Sequence, residues 1–190
     1  MNPFIVQLRS LTNLLSVTKT KYAILGGIAV ALYGEPRLTA DVDVNIALRK
    51  EEIERFIGTA KKYGFYPASS DVHLLAKNTG VIPMEFSKGT VTGRCDIIIA
   101  ENSIEEAGIR RAKLKKIGSI RCKVVSPEDL IIHKITSSRP RDKEDLKGIL
   151  IRQKGKLDIR YIRSWLKKIS LVDKKSRLSR TFDRMLKRAG

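Results

Sequence analysis

The sequence predicts an α+β fold in which strands and helices are mixed at first and only helices follow. The apolar run of residues 22–25 ends in Gly26-Gly27 and is followed by a second apolar segment, residues 28–33, an order typical of a strand, a glycine turn and a buried helix. Residues 41–46 alternate strictly between polar and apolar side chains, the period of a half-buried strand. From about residue 126 onward, apolar residues recur at helical spacing.

Each remaining element follows from the spacing of apolar residues and from the positions of Ser, Pro and Gly. In chain order the patterns predict an amphipathic helix marked by Phe4, Leu8, Leu11, Leu14 and Leu15, a helix over residues 50–62, a hairpin of strands 81–86 and 95–100, and a strand over residues 120–125. Ser126 is the predicted N-cap of a helix over residues 127–136, with Pro127 in its first turn. Three further helices are marked by Leu146, Ile149 and Leu150, by Ile159, Ile162, Leu166 and Ile169, and by Leu178, Phe182 and Met185.

The domain organisation predicted from these elements is an α/β core over residues 1–125 and a basic helical lobe over residues 126–190. No internal repeat or low-complexity tract interrupts the chain. We therefore expect one compact α+β unit with a helical extension, not two independent domains.

Composition restricts the class of protein. The chain has 190 residues, 42% of them hydrophobic, and no segment approaches the roughly 20 apolar residues that span a bilayer. The first residues lack the order of a signal peptide, so a cytoplasmic location without membrane association is expected. The two cysteines, Cys95 and Cys122, have no metal-ligand spacing, which argues against a zinc site or a disulfide framework.

The charge of the chain is strongly basic. It holds 38 Lys and Arg against 20 Asp and Glu, a net charge of +18, and residues 151–190 contain much of this excess. A positive field attracts phosphate-bearing partners, so nucleic acid is the leading partner class. The alternative is a solvated helical face in a lysine-rich protein of a heat-adapted organism.

Asp41 and Asp43 are the first candidate metal ligands. Two carboxylates at positions i and i+2 of a strand lie on one face, where they repel each other unless a cation neutralises them. Hard oxygen ligands suit Mg²⁺ or Mn²⁺, and two such ions can stabilise both oxygens of a phosphoryl displacement. Asp96, at the start of an apolar strand, is the candidate third ligand. The alternative for the pair is an exposed strand face without function.

Gly26 and Gly27 are candidate nucleotide-binding residues. Glycines at the start of a helix let backbone N–H groups and the helix N-terminus approach a phosphate. A tight turn without a ligand is the alternative interpretation, because a Gly-rich turn alone is a weak signal.

Taken together, these motifs resemble the signature of the DNA polymerase beta-like nucleotidyltransferase superfamily. The resemblance rests on Leu25-Gly26-Gly27, on Asp41-Val42-Asp43-Val44 and on Cys95-Asp96-Ile97. It implies a small mixed β-sheet flanked by helices, with Asp41, Asp43 and Asp96 as catalytic ligands of two metal ions. It also implies an NTP, such as ATP, that loses pyrophosphate to an attacking hydroxyl.

A narrower resemblance links the chain to the nucleotidyltransferase toxins of abortive-infection, type IV-like toxin–antitoxin pairs. Arg37 and Thr39 fit the Arg-x-Thr-x-Asp-x-Asp loop of that group, and the stretch from Lys134 through Arg139 and Asp142 to Leu146 is similar to its helical motif. The resemblance implies Lys134 and Asp142 as catalytic residues. Arg37, Thr39, Lys134 and Arg139 are the implied nucleotide-binding residues.

The chemistry of this second motif is coherent. Lys134 and Arg139 could neutralise triphosphate oxygens, while Asp142 or Asp145 orients a cation or deprotonates a hydroxyl. The alternative is that the charged run 141–145 is a solvated stretch that starts a helix, with acids near its N-terminus.

The function predicted from these residues is transfer of NMP from an NTP to an acceptor hydroxyl. By the narrower resemblance, RNA such as the 3′ end of tRNA is the leading acceptor, and an antitoxin protein is an implied partner. A protein hydroxyl, an aminoglycoside-like small molecule, or a catalytically inactive relative that only binds nucleic acid are the alternatives.

Overall fold

The computed structural model describes residues 2–37, 39, 41–172 and 177–189, without the side chain of Val172. The chain forms two compact units, one of Met1–Ile28 with Leu38–Val125 and one of Ala29–Arg37 with Ser126–Gly190. The predicted division into a core of residues 1–125 and a helical lobe of residues 126–190 stays a prediction. Within the described ranges, no helix combines the length and the apolar character needed to cross a membrane.

The first unit contains a mixed β-sheet. Its strands are β1 (Tyr22–Ile24), β2 (Asp41–Ile46), β3 (Phe65–Pro67), β4 (Val81–Lys88), β5 (Val91–Ile99), β6 (Lys113–Ile117) and β7 (Ile120–Val124). Their order is β3-β4-β5-β2-β1-β7-β6. The pairs β2–β5 and β1–β7 are parallel and the others antiparallel, so the predicted α+β class with a mixed sheet is confirmed.

The helices of the first unit are α1 (Pro3–Val17), α3 (Ile53–Lys61), α4 (Val72–Thr79) and α5 (Ser103–Arg111), while α2 (Gly26–Tyr33) begins in this unit. The N-terminal helix forms as predicted. Pro3 occupies its first turn and Asn2 caps it by accepting a hydrogen bond from the backbone N–H of Phe4. Four leucines bury its apolar face, namely Leu8, Leu11, Leu14 and Leu15. In the predicted helix of residues 50–62, Lys50–Glu52 form a 3-10 turn that precedes α3.

The predicted hairpin is confirmed, with a shorter turn. β4 continues to Lys88 and β5 begins at Val91, beyond the predicted strand ends at residues 86 and 95. Gly89 has a φ of +61° and lies in the two-residue connection. That left-handed conformation allows a tight turn, so both strands extend further than their apolar residues indicate.

The second unit is helical, as predicted. It contains α6 (Pro127–Thr136), α7 (Pro140–Arg152), α8 (Ile159–Val172) and α9 (Leu178–Ala189). Ser126 caps α6, because its hydroxyl accepts a hydrogen bond from the Asp129 backbone N–H at 3.2 Å and donates to Asp129 Oδ2 at 2.6 Å. The core of this unit comes from all four helices, with Leu130, Ile131, Leu146, Ile149, Ile162, Leu166 and Phe182 buried.

Candidate active site

Three carboxylates come together on one face of the sheet. Asp41 and Asp43 alternate with buried Val42 along β2, so both side chains point to the same side. In the parallel pair β2–β5, Asp43 lies in register with Asp96, and Asp41 with Arg94. Because neighbouring strands are about 4.8 Å apart and residues in register share a face, Asp43 and Asp96 are direct neighbours. The strand order therefore joins the third predicted carboxylate to the first two.

The pKa of Cys95 is affected by the charges of all three carboxylates. Its thiol is fully buried between Arg94 and Asp96 in the chain. Burial raises the pKa of Cys95 well above its usual value, and the charges of Asp43, Asp96 and Asp41 raise it further. Asp41 and Asp96 are exposed and Asp43 is half-buried. The three acids are thus close enough to act on one group and open enough to receive a ligand.

Gly26 permits the close approach of helix α2 to Asp43. Its φ is +62°, and a Cβ added there would lie 2.6 Å from Asp43 Cγ and 2.9 Å from Asp43 Cβ. The backbone N–H of Leu25 donates to the Asp43 carbonyl at 3.0 Å. No side chain other than hydrogen fits at position 26 without moving the carboxylate, so this glycine is required by the site as well as by the turn.

Gly27 and Thr39 form the second close approach. A Cβ on Gly27 would lie 2.5 Å from Thr39 Oγ1, and this hydroxyl donates to the carbonyl of Asp41 at 3.0 Å. Thr39 therefore fixes the backbone at the start of β2. The structure brings Gly26, Gly27 and Thr39 to the carboxylates, as the predicted site requires.

The donor set of the three aspartates fits a hard divalent cation, because all available atoms are carboxylate oxygens. Among the residues that the structure describes, no group of three His, Cys, Asp or Glu side chains is arranged to hold a metal ion. The fold thus places the three aspartates on one face of the sheet in adjacent strands, but their side chains are not arranged around a metal position.

The other predicted residues form an ion-pair cluster in the helical unit. Arg37 Nε and Nη2 donate to the two carboxylate oxygens of Asp145 at 3.1 and 3.2 Å. Lys134 Nζ donates to Asp145 Oδ2 at 2.8 Å and also to Asp142 Oδ1. Only 5% of the Asp145 side chain and 11% of the Lys134 side chain are exposed. Arg139 lies at the N-terminus of α7 and is exposed.

The interpretation of run 141–145 as a solvated stretch is wrong for its two aspartates. Asp142 and Asp145 are buried, whereas Arg141, Lys143 and Glu144 are exposed. The spacing of three residues places both acids on the face of α7 that continues with Leu146 and Ile149. This periodicity was available in the sequence and identifies Asp145 as a member of the cluster.

Asp142 is held in its charged form. Burial by itself raises the pKa of its carboxyl, but hydrogen bonds from Lys134 and Ser137 and the charges of Lys134 and Arg139 lower it by more. The net pKa lies below the usual value. A carboxylate with low proton affinity is suited to orienting Lys134 and poorly suited to accepting a proton.

The mixed sheet with its flanking helices has the fold of known nucleotidyltransferases. The fold is similar to that of an antigenic nucleotidyltransferase-like protein from Paracoccidioides brasiliensis, with a TM-score of 0.57, 18% identity and coverage of 97% of this chain and 91% of that one. It is also similar to the antibiotic-resistance factor ANT(2″)-Ia, with a TM-score of 0.59, 13% identity and coverage of 92% and 97%.

The family follows from the sequence itself. The chain belongs to the family described as nucleotidyl transferase of unknown function (DUF2204), whose model matches residues 5–180. No curated protein matches the sequence. The predicted membership of the nucleotidyltransferase superfamily is confirmed, and the protein is a nucleotidyltransferase enzyme.

Proposed function

We propose that Asp41, Asp43 and Asp96 bind Mg²⁺ or Mn²⁺ and an NTP, and that the enzyme transfers NMP to a hydroxyl of RNA. The observation that carries this proposal is the register of Asp43 with Asp96, with Asp41 two residues before on the same face. Three adjacent carboxylates repel one another, and a divalent cation held by them would remove that repulsion and supply positive charge for a triphosphate.

In the proposed reaction, the acceptor oxygen attacks the α-phosphorus of the NTP and pyrophosphate leaves. The bound ions would neutralise charge on the attacking and leaving oxygens. Gly26 and Gly27 let the start of α2 approach the triphosphate, and Thr39 keeps the backbone of Asp41 in place. These contacts position the substrate against the carboxylates.

Arg37, Lys134, Arg139 and Asp142 have separate proposed roles in the helical unit. Arg139 is exposed and acts on Asp142 only through its charge, without an ion pair within 4 Å in the described part of the chain, so it is the proposed phosphate-binding residue. Lys134 is the proposed catalytic cation, and Asp142 holds it in place. Arg37 acts through Asp145, which it shares with Lys134.

RNA is the acceptor that the charge supports best. A net charge of +18 gives the enzyme a general attraction to polyanions. The resemblance of the Arg37–Asp43 loop and of the Lys134–Leu146 stretch to toxin–antitoxin nucleotidyltransferases supports the 3′ end of tRNA as the target. By the same resemblance we propose that the enzyme acts as a toxin restrained by an antitoxin protein.

A small molecule is the second candidate acceptor. It is supported by the similar fold of an antibiotic-resistance factor. The two sequences are only 13% identical, so the likeness concerns the fold and not the residues that select a substrate. A protein hydroxyl is the remaining acceptor class, and no feature of the described residues favours it over RNA.

The acceptor class can be tested with purified enzyme and α-phosphate-labelled NTPs. Total RNA, a mixture of cellular proteins and an aminoglycoside are offered separately, with Mg²⁺ or with EDTA. We expect Mg²⁺-dependent label in RNA only. Label in protein or antibiotic would transfer the proposal to that acceptor, and absence of label in all three would overturn it.

Two variants make this assay specific for the carboxylates. Asp43→Asn should abolish labelling, while Asp71→Asn, a matched change at an exposed aspartate before α4, should leave it intact. The toxin proposal has its own test, because induced expression should arrest growth with the wild-type enzyme and not with Asp43→Asn. Growth arrest by both proteins would refute a toxic nucleotidyl transfer.

A further inference from the structure

A basic surface lies on the β6–β7 hairpin at one edge of the sheet. In the β6–β7 pair, Lys116 faces Arg121 and Leu114 faces Lys123. Residues that face each other across two strands share one side of a sheet, so these four side chains form one surface. All four are exposed. We call Lys116, Arg121 and Lys123, with Leu114 between them, the hairpin patch.

The charges of the hairpin patch are not compensated within the described residues. Other basic side chains of this unit have acidic partners, such as Lys50 with Glu101 and Arg110 with Glu106. No described carboxylate lies within ion-pair distance of Lys116, Arg121 or Lys123. Like charges directly opposite on a sheet destabilise the pair, so the arrangement costs stability unless an anion binds there.

The register places the hairpin patch on the same face as the carboxylates. Ile24 pairs with Val44 on one side and with Val124 on the other, so these three residues point the same way. Asp43 and Lys123, each one residue earlier in its strand, therefore both point to the opposite face. At about 4.8 Å per strand and 3.3 Å per residue, the Lys116–Arg121 pair lies on the order of 15 to 20 Å from Asp43.

We propose that the hairpin patch binds the phosphate backbone of the RNA whose 3′ hydroxyl is the acceptor. This inference rests on the proposed function, since it assumes an RNA acceptor. A stacked strand rises about 3.4 Å along its axis per nucleotide, so a strand ending at the carboxylates reaches the patch after roughly five nucleotides. Lysine and arginine supply sequence-independent phosphate contacts, and exposed Leu114 offers apolar contact to a base or sugar.

The competing explanation is protection of an edge strand. β6 is the last strand of the sheet, and lysines on such strands prevent pairing with other chains. That explanation predicts that removing the charges causes self-association and leaves RNA binding unchanged. The two explanations therefore predict opposite results for RNA binding by a variant that lacks these charges.

The test compares the double variant Lys116→Ala/Arg121→Ala with Lys61→Ala/Lys62→Ala. The control removes the same charge from exposed lysines at the end of α3, a helix that contacts β3 at the other edge of the sheet. Binding of an end-labelled RNA of about twenty nucleotides is measured against salt concentration. Each lost phosphate contact lowers the slope of log K against log salt by about 0.7, so we expect a decrease of about 1.4 for the hairpin variant alone.

Transfer assays give the second readout. The hairpin variant should have a raised KM for the long RNA and unchanged transfer to a dinucleotide, which is too short to reach the patch. Wild-type RNA affinity and slope in the hairpin variant, or equal losses in both double variants, would overturn the proposal. The binding measurement does not depend on catalysis, so failure of RNA labelling with intact, patch-dependent binding would refute the proposed function and leave the binding surface standing.

Discussion

Substitution of Gly26 by alanine is the most direct test of how the fold builds the site. The new Cβ would lie 2.9 Å from Asp43 Cβ and 2.6 Å from its Cγ, whereas carbon atoms in contact are about 3.5 to 4.0 Å apart. The Asp43 side chain must therefore move by about 1 Å. A misplacement of this size in a catalytic group can reduce the rate about 100-fold. We expect at least that loss in NMP transfer.

The same substitution also strains the backbone, and this effect needs its own control. Gly26 has a φ of +62°, a conformation that costs an L-residue roughly 1 to 2 kcal/mol. Gly89 has a φ of +61°, with no atom within 4 Å of an added Cβ. Gly89→Ala therefore reproduces the strain without the clash. For a chain of this size, each kcal/mol lowers Tm by about 2 to 4 °C.

Comparison of the two variants separates the causes. Both should lose the stability that the strained backbone costs, with a further loss in Gly26→Ala from the clash, as measured by circular dichroism. Only Gly26→Ala should lose transfer activity, measured under saturating NTP and Mg²⁺. If both variants kept the activity of the wild-type enzyme, the close approach of α2 to Asp43 would have no part in the chemistry. If both lost it equally, backbone strain alone would explain the result.

Three further predictions concern the acidic residues. Asp43→Asn should abolish transfer and, in EDTA, melt no lower than the wild type because it relieves carboxylate repulsion; a lower Tm would contradict this. Asp145→Asn should cost about 3 kcal/mol in denaturant unfolding, since it leaves buried cations short of a partner, whereas Asp183→Asn in an exposed pair should cost about 0.2 to 1 kcal/mol. Equal losses of unfolding free energy in the two variants would contradict the argument that burial makes the Asp145 pair more costly to break. Asp142 has a lowered folded pKa, so its contribution to stability is complete above about pH 4 and is lost as pH falls through that pKa. The gap in Tm between wild type and Asp142→Asn should therefore shrink in acid, and a constant gap would refute the assignment.

The elements with strong apolar periodicity were predictable from the sequence. α1, β2, α6 and the hairpin β4–β5 have buried side chains at regular spacing, and capping by Asn2 or Ser126 supports two of them. Such elements are specified by local pattern and turn chemistry.

Four elements were not predicted from the sequence. One of them, α5, has clear local signals in its Asn102 cap and in the acids of its first turn, whereas the other three have weak ones. β3 has three residues, and α4 buries only Val72 and Ala76. β6 is lysine-rich and mostly exposed, so it lacks the alternation of a half-buried strand and is specified by its pairing with β7. Tertiary contacts, not local preference, determine these three elements.

The site was predictable in composition but not in arrangement. Asp41 and Asp43 lie on the same face of β2 because they are two residues apart in a strand. Asp96 lies next to Asp43 only because β2 pairs in parallel with β5, which no local pattern encodes. The clash that position 26 imposes on Asp43 likewise exists only in three dimensions.

A basic side chain binds a phosphate more readily when no carboxylate of the protein is already paired with it. Lys134 and Arg37 are held by buried carboxylates, so a phosphate that binds either one must compete with Asp145 and, for Lys134, also with Asp142. The hairpin patch has no such competitor among the described residues, so an anion gains its full attraction there. RNA binding should accordingly be more sensitive to the loss of Lys116 and Arg121 than to the loss of Lys134, although Lys134 is the residue expected to affect catalysis. On the proposed function, the basic residues paired with buried carboxylates and those that bind the RNA backbone are thus different residues.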